Sequence, residues 1–411
     1  MDNREVSVLF VGVDWAEDHH DVCVMDEAGA VLGKRRVAHS VGGLGELHEL
    51  VSEFSDEDEQ VVVGIEVDRG LLVSALVGAG YAVYAVNPLA ASRYRDRHGV
   101  SGAKSDPGDA KVLADLVRTD RHNHRAVGGD SELVDAIRVL ARSHQSAIWS
   151  RQRQLNSLRS ALREFYPGAQ VAFGTDLGAG DALAILAIAP TPEQGRQLSR
   201  SKIASALRRG GRTRNIEAKS IEIQAALRAE QLSAPTTLTG AYGIITESTV
   251  RVIESLNREI TLLEGALAEH FEAHPAAKVV QSLPGLGTTL GGRVLGEFGD
   301  DPNRYADAKS RKNYAGTSPI TKASGKTHVV LARYARNRRL GDALDLWAFC
   351  SLTRSPGART YYDQLRARGK THRQALRQLA NRWVGILHHC LDTGSRYDET
   401  TAWTTKEPLA A

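Results

Sequence analysis

Four acidic residues stand where predicted secondary-structure elements begin or end. Asp14 follows the apolar run of a predicted first strand, and Glu66 follows that of a predicted fourth strand. The segment KSDPGDA adds Asp106 and Asp109 at the predicted start of a helix, where residues three apart are neighbours. Carboxylate oxygens are the ligands that Mg²⁺ prefers, with Mn²⁺ as the alternative ion, and two such ions can clamp the attacking and leaving oxygens of a phosphoryl transfer. The pattern therefore predicts a catalytic metal site at these four residues.

Three of these acids also have a specific simpler explanation. Asp106 precedes Pro107 and is suited to cap a helix, while Asp109 suits the positive end of the helix dipole. Asp14 suits the start of a turn. The four acids together favour a metal site, because they share strand-end and helix-start positions in an acidic segment that lies beside a basic one.

A serine in a strongly basic segment is the second candidate for chemistry. In NYAGTSPITKASGKTHVVLARYARNRRLGDAL, Ser324 and Ser318 lie among Lys and Arg residues. Nearby positive charge stabilises a serine alkoxide and the transition state of its attack on phosphorus, so this environment favours a nucleophile. The dipeptide Ser324-Gly325 also suits an ordinary turn, and the Arg residues also suit an exposed helical face. The basic side chains predicted to bind nucleic acid are Lys322, Lys326, Arg333, Arg336, Arg338 and Arg339.

A Pro-Gly-x-Gly turn in SLPGLGTTLGGRVLGEFGD leads into a predicted helix. Free backbone N–H groups at Gly285 and Gly287 could therefore meet a phosphate without reading bases, as in a helix-hairpin-helix element. The alternative is that the two glycines only make a tight turn.

The net charge of +3 conceals an asymmetry along the chain. Residues 1–130 hold 13 Lys and Arg against 23 Asp and Glu, whereas residues 131–411 hold 39 against 26. Between residues 304 and 382 there are 18 basic residues and four acids, and residues 138–163 hold six Arg and no acid. Such a bias favours a polyanionic partner over a solvated helical surface. The basic part is therefore predicted to bind nucleic acid.

Apolar spacing predicts an α/β architecture followed by a helical one. Short β-branched runs up to residue 86 imply a mixed sheet, and later segments have helical spacing. A stripe with the a/d spacing of a coiled coil suits a dimer seam or two helices packed within one chain: Ile253, Leu256, Ile260, Leu263 and Leu267.

The predicted elements are strands 6–13, 21–25, 31–38, 61–65 and 82–86, helices 44–54, 71–77 and 133–165, a loop from Gly168 to Gly180, and a helical hairpin over 361–390 with Leu376, Leu379, Trp383 and Ile386 inward. The predicted domains are an acidic metal-binding domain (1–128), a helical and coiled-coil region (129–275) and a basic, mainly helical domain with the serine (276–411).

Composition excludes several classes of protein. The longest apolar run, Ala182 to Ala189, is far shorter than the roughly 20 residues of a membrane span, and no secretion signal is recognised, so we expect a cytoplasmic protein. Cys23, Cys350 and Cys390 are too far apart for a Cys-x-x-Cys site and are expected to be reduced. His19 and His20 are expected at the surface.

These motifs resemble those of a known family. GVDWA, GIEVD and KSDPGDA supply its four acids, and Gly316, Pro319 and Ser324-Gly325 match a Gly-x-x-Pro segment followed by the Ser-Gly dipeptide of its nucleophile. Over nearly its whole length the chain resembles the one-ten family of bacterial insertion-sequence transposases. These are also called DEDD transposases, and characterised members are bridge-RNA-guided recombinases. The sequence departs from the pattern at Asp68, and at Ala323-Ser324 it offers one serine, so that Ser318 is the fallback.

The resemblance implies a fold and a mechanism. The N-terminal part would have a ribonuclease-H-like fold of the RuvC branch, and Ser324 would attack donor and target DNA to form a covalent phosphoserine link, leaving a 3′-hydroxyl that later reseals. It also implies a bridge RNA and a homo-oligomer, from dimer to tetramer, in which acids and serine come from different subunits.

Two rival functions make different predictions. A RuvC-like junction endonuclease would use the four acids to activate water and would retain activity in Ser324→Ala. A nucleic-acid-binding scaffold would lose nothing in Asp14→Ala, because its acids would only cap helices or lie at the surface.

Overall fold

The computed structural model describes residues 8–54, 60–98, 105–174, 176–302, 304–324, 327–333 and 336–403. The chain divides into two compact units, the first formed by Met1–Ser131 with Asp300–Ala306 and the second by Glu132–Gly299 with Asp307–Ala411. The first boundary lies close to the predicted 128/129 division, and the predicted division at 275/276 stays a prediction. No helix among the described residues is long and apolar enough to cross a bilayer.

The first unit is built on a six-stranded mixed sheet with the order β3-β2-β1-β4-β5-β6. The β1–β2, β2–β3 and β5–β6 pairs are antiparallel, while β1–β4 and β4–β5 are parallel. The predicted mixed sheet is confirmed, although the three-residue strand β6 has too short a pattern to be recognised. The elements are β1 (Val8–Trp15), β2 (His19–Met25), β3 (Val31–Ala38), α1 (Val41–Ser52), β4 (Gln60–Ile65), α2 (Leu71–Gly78), β5 (Ala82–Ala85), α3 (Pro88–His98), α4 (Asp106–Asp120), a 3-10 turn (Arg121–Asn123) and β6 (Arg125–Val127).

Helix α4 lies directly on the sheet because two glycines leave room for it. Gly12 of β1 and Gly64 of β4 are partners in the parallel register. A Cβ at Gly12 would lie 1.8 Å from the carbonyl oxygen of Ala110, and one at Gly64 would lie 2.5 Å from that of Leu113. Any larger residue would therefore push α4, and the acids in its first turn, away from the strands.

The second unit is mainly helical. Its longest helix, α11, packs mainly against α5, and Ile253, Ile260 and Leu267 of the predicted stripe are buried. This stripe therefore packs within one chain; a role as a dimer seam stays a prediction. The elements are α5 (Glu132–Phe165), α6 (Pro167–Phe173), α7 (Gly180–Ile188), α8 (Pro192–Gln197), α9 (Arg200–Arg209), α10 (Ile216–Arg228), α11 (Thr236–Ala273), α12 (Ala277–Ser282), α13 (Thr288–Phe298), α14 (Ala308–Ala315), β7 (Ile320–Ser324), β8 (Thr327–Leu331), α15 (Arg338–Ser351), α16 (Pro356–Ala367), α17 (His372–Thr393) and α18 (Glu399–Trp403).

The prediction of a loop from Gly168 to Gly180 is wrong for its first half, whereas residues 174 and 176–179 do lie outside any helix. Helix α6 occupies residues 167–173, and α7 begins at Gly180. These glycines serve close packing: the Gly168 N–H donates to Oε1 of Gln231 at 2.7 Å, and a Cβ at Gly180 would lie 2.0 Å from the carbonyl oxygen of Gly210. A Gly-rich composition therefore does not by itself indicate a loop, because glycines also allow helices to pack closely.

The C-terminal helices pack around two tryptophans. Trp347 of α15 and Trp383 of α17 are fully buried, with ring centroids 5.3 Å apart. Their indole N–H groups donate to the carbonyl oxygen of Pro284 and to Oγ of Ser351, so neither buried donor is unsatisfied. The predicted helical hairpin is confirmed as α16 and α17, except that Ile386 is only half-buried and the neighbouring Leu387 takes the core position.

Candidate active site and nucleic-acid interface

Asp14 and Glu66 lie at the same edge of the sheet. Val13 and Ile65 are register partners in the parallel β1–β4 pair, and each acid is the next residue along its chain. Asp14 is itself part of β1 and not the residue after it. Its antiparallel pairing with Asp21 of β2 extends the strand past the apolar residues. The structure thus brings these two predicted residues side by side.

Asp106 and Asp109 lie in the first turn of α4. The N-cap is Ser105, and Asp106 is the first helical residue, so the simple explanation of Asp106 as the cap does not hold. Asp109 is buried, whereas Asp106 is exposed. Since α4 packs on Gly12 and Gly64, its first turn reaches the edge where those strands end.

The four acids form an electrostatically repulsive group. The pKa of Asp14 is raised to about 6, first because the carboxyl is partly buried and then because Asp109, Glu66, Asp106 and Asp21 all place negative charge near it. All four predicted acids therefore lie within electrostatic reach of one point. Such a group is stabilised by a cation, and a carboxyl with a pKa raised in the way of Asp14 is typical of functional sites.

Asp21 is a fifth acid at this site that sequence reasoning missed. It is buried and accepts three hydrogen bonds from the Arg36 guanidinium, at 2.7 to 3.2 Å. The same guanidinium lies 3.4 Å from Asp106, and Arg95 lies 2.6 Å from Asp109. Only the β1–β2 register could have revealed Asp21, because it places the residue opposite Asp14, seven positions away in sequence.

The donor set of this edge fits a divalent cation. Carboxylate oxygens dominate it, which favours Mg²⁺ or Mn²⁺ over softer metals. Among the described residues, His19, Asp21 and Asp106 are the group whose ligand atoms all lie within 4.8 Å of one another. The candidate site thus extends from the four predicted acids towards β2.

The expectation that His20 is a surface residue is wrong. Its side chain is buried, and its Nε2 lies 2.9 Å from Nδ1 of His39, within a hydrogen bond. Burial, followed by the neighbouring His39 and His19, lowers the pKa of His20 to about 4. His20 therefore stays neutral at pH 7 and fixes the β2–β3 edge beside the acids.

Ser324 is the last residue of β7 in an exposed hairpin of the second unit. It pairs with Thr327 of β8, and its side chain is exposed. Gly325 and Lys326, predicted at this point, lie outside the described residues, as does the side chain of Lys322. The sequence pattern did not indicate that these strands form a hairpin; the fallback Ser318 lies before it and is half-buried.

The predicted Arg residues differ in their surroundings. Arg338 is exposed, and Arg336 lies 3.8 Å from Asp345. Arg333 is half-buried, with a weak hydrogen bond of 3.5 Å to Asn313. Arg339 instead donates to the carbonyl oxygen of Arg142 and to Ser146, and its guanidinium stacks over the Trp149 ring, 5.2 Å from the centroid. These contacts tie α15 to α5, so Arg339 has a packing role.

The buried carboxylate of Glu297 binds the N-cap residue of α15, the helix that follows the β7–β8 hairpin. Glu297 of α13 accepts two hydrogen bonds from Arg142 and one from Asn337 at 2.6 Å. Asn337 caps α15 by accepting from the Arg339 and Leu340 N–H groups. Burial raises the pKa of Glu297, but Arg142 and Asn337 outweigh it and hold that pKa below its usual value.

The predicted Pro-Gly-x-Gly turn connects α12 and α13. Gly285 has φ +87°, and a Cβ there would lie 2.9 Å from the Ser351 backbone nitrogen, so this glycine is required by the turn and by packing. Gly287 caps α13 and has open space around it. Its position at a helix N-terminus is compatible with the predicted phosphate contact.

Comparison with known proteins identifies the family. A family model described as "Transposase" matches residues 11–167, and one described as "Transposase IS116/IS110/IS902 family" matches residues 277–363. The "Mini-circle putative transposase for IS117" of Streptomyces coelicolor is 44% identical over 98% of each chain. The "Insertion element IS110 uncharacterized 43.6 kDa protein" of the same species is 30% identical over 97% of each chain. The "Insertion element IS900 uncharacterized 42 kDa protein" of Mycobacterium paratuberculosis is 28% identical over 96% of this chain and 98% of its own. The chain belongs to the IS110 family of insertion-sequence transposases, enzymes that cut and rejoin DNA.

Proposed function

We propose that this transposase joins DNA through a divalent-metal site on the first unit and a serine nucleophile, Ser324, on the second. The observation that carries the proposal is the convergence of Asp14, Glu66, Asp106 and Asp109, which together with Asp21 places Asp14 among four other carboxylates. The strand order of the sheet supports a ribonuclease-H-like fold of the RuvC branch. Such a charge arrangement is suited to hold Mg²⁺ or Mn²⁺.

The acids would act on the phosphate that is transferred. When bound, the divalent ions neutralise charge that develops on the phosphate oxygens. Asp14 and Glu66 hold their carboxylates at fixed positions because parallel strands carry them, and Asp106 and Asp109 approach from the first turn of α4. Arg36 and Arg95, which pair with Asp106 and Asp109, limit the repulsion among the acids.

Ser324 would carry the covalent step. Its Oγ forms a bond to phosphorus as the bond from phosphorus to the DNA O3′ breaks; the serine proton leaves Oγ and the O3′ takes up a proton. Attack by another DNA 3′-hydroxyl then reverses these changes, freeing the serine and resealing the strand. The exposure of Ser324 on a hairpin supports this role, because a DNA phosphodiester must reach Oγ without unfolding the protein.

A bridge RNA would select the donor and target DNA, and a dimer or tetramer would bring acids and serine together from different subunits. The strongly basic composition of residues 304–382 supports a nucleic-acid interface there, with Arg333, Arg336 and Arg338 as the predicted contacts among the described side chains. Lys322, Lys326, Gly285 and Gly287 complete the proposed interface. Arg339 contributes through its packing contacts.

A junction endonuclease remains the second candidate, because the acid group alone suffices for hydrolysis by activated water. The test is to supply the gene with its native flanking DNA and a target plasmid, and to sequence recombinant junctions for the wild type, Ser324→Ala and Asp14→Ala. We expect both variants to remain folded and to form no junctions. Junctions from Ser324→Ala would contradict the phosphoserine mechanism, and junctions from Asp14→Ala would contradict the metal site.

A further inference from the structure

A cavity of about 510 Å³ with both apolar and polar lining lies at the base of the β7–β8 hairpin. Helix α17 contributes one side, the residues on either side of the hairpin contribute another, and α16 with the turn that follows it completes the rim. The lining residues used below are Ser318, Tyr361, Lys370, Arg377, Gln378 and Asn381. All of them belong to the second unit.

The lining has the chemistry of a nucleotide site. The described lining includes two cations, Lys370 and Arg377, and no carboxylate, although Asp345 of α15 lies within electrostatic reach of Arg377. The Nε atom of Arg377 is buried without a hydrogen-bond partner among the described residues. An unmatched buried guanidinium nitrogen of this kind calls for an anionic acceptor. The cavity therefore favours an anion such as a phosphate.

The rest of the lining suits a base. Gln378 and Asn381 present side-chain amides, which can pair with the donor and acceptor edge of a nucleobase. The Asn381 amide is held in place, since the Thr317 hydroxyl donates to its Oδ1 at 3.0 Å. Tyr361 adds an aromatic ring at the rim, and the volume falls within the range of small-ligand pockets.

We propose that this cavity binds one unstacked nucleotide of the DNA strand that Ser324 attacks, and so adds sequence preference a few nucleotides from the cleaved bond. The inference rests on the proposed function, because it is Ser324 that identifies the strand. Val330 lines the cavity and pairs with Thr321 of β7. Ser324 lies three residues beyond Thr321, or about 10 Å at ~3.3 Å per residue, which is too far for the cavity to hold the reacting phosphate itself. Enzymes that act on extruded nucleotides read them by such edge hydrogen bonds and stacking.

The first test measures binding of the full-length chain to single-stranded oligodeoxynucleotides from the ends of its own element, by fluorescence anisotropy. An abasic site is moved through the oligonucleotide one position at a time. We expect one position at which the abasic site weakens binding about tenfold in the wild type and has no effect in Gln378→Ala. Gln364→Ala is the matched control, because Gln364 is an exposed glutamine of α16 outside the lining.

The second test separates the phosphate contact from general charge. The affinity for DNA falls as salt concentration rises, and the slope of log affinity against log salt concentration measures the number of phosphate contacts. Removing one phosphate contact makes this slope shallower by about one. We expect this change in Lys370→Ala and Arg377→Ala but not in Arg368→Ala, an exposed residue in the same turn as Lys370. Equal slopes for all three variants, or abasic effects that are the same at every position, would overturn the proposal.

These outcomes are distinct from failure of the proposed function. Both tests measure binding and are repeated in Ser324→Ala, which removes the nucleophile without touching the lining. Suppose that Ser324→Ala still joins DNA, and that an abasic site at one position still weakens binding only when Gln378 is present. The nucleotide site then stands and the phosphoserine mechanism fails. If Ser318→Ala abolishes joining while Ser324→Ala does not, the cavity is itself the reaction centre and the nucleotide-site proposal is overturned.

Discussion

The two candidate sites of this transposase are held in opposite ways. In the first unit the acids lie at the ends of a parallel strand pair and at the start of a helix that packs on Gly12 and Gly64. In the second unit Ser324 lies on an exposed two-stranded hairpin. The difference has a physical reason: carboxylates that repel one another must be held by rigid backbone, whereas a nucleophile that meets a macromolecular substrate must be accessible.

The largest expected effect is on activity in the first unit. Asp14→Asn should lower junction formation by about 1000-fold or more, because a carboxylate ligand to the metal is lost. Its melting temperature, measured at pH 7 with a chelator, should not fall. At pH 7 Asp14 is ionised above its raised pKa of about 6, so its charge lowers the stability of the unit. Asp18→Asn, an exposed acid of the same turn region, should keep both activity and stability. A fall in melting temperature without loss of junctions would mean that Asp14 is structural.

The second effect is on stability in the second unit. Glu297→Ala should lower the free energy of unfolding by about 3–5 kcal/mol, because it removes the buried carboxylate that accepts hydrogen bonds from Arg142 and Asn337. Asp363→Ala, which removes an exposed partner of Arg359, should cost no more than about 1 kcal/mol. Chemical denaturation measures both variants. Equal losses would show that burial does not distinguish these two ion pairs.

The third effect tests the support of α4. Gly12→Ala should destabilise the first unit by about 1–3 kcal/mol, since its Cβ meets the α4 backbone, and should also reduce junction formation by displacing Asp106 and Asp109. Gly45→Ala is the control: this helical glycine has open space around it, so alanine should stabilise by up to about 1 kcal/mol. Thermal denaturation and junction sequencing of both variants provide the comparison. Unchanged activity in a destabilised Gly12→Ala would separate the position of α4 from catalysis.

The smallest effect concerns pH. The pKa of Glu297 is lowered in the folded chain, so its charge contributes stability above its unfolded pKa, and that contribution is lost as pH falls through the lower, folded pKa. The stability difference between the wild type and Glu297→Gln should therefore shrink as pH falls below about 4. Denaturation midpoints at a series of acidic pH values would show this trend. A difference that grows on acidification would have the wrong sign for this account.

Local sequence predicted the elements of the first unit well. The runs that end before Asp14 and Glu66 have strong β-branched patterns, so each acid could be placed at a strand end. Asp21 could not be found in this way, because its proximity to Asp14 comes from pairing between strands. The burial of His20 could not be found either, since its contact with His39, the residue after β3, comes from pairing between strands.

Prediction was weaker in the second unit, where packing overrides composition. Gly168 has the composition of a loop but allows α6 to pack closely, and Arg339, a predicted nucleic-acid contact, also donates to Ser146 and stacks over Trp149. The hairpin that carries Ser324 was missed because a short Ser-Gly segment indicates a turn without indicating its strands. Its chemical role came from the family resemblance alone.

The central claim is that Ser324 becomes covalently linked to DNA while the acids of the first unit support the reaction. The most direct measurement is to incubate the transposase with its native RNA and labelled element ends, denature the mixture, and identify the labelled peptide by mass spectrometry. The account predicts a phosphodiester on Ser324, absent in Ser324→Ala and strongly reduced in Asp14→Asn. A label on Ser318, or cleaved DNA with no protein attached, would contradict it.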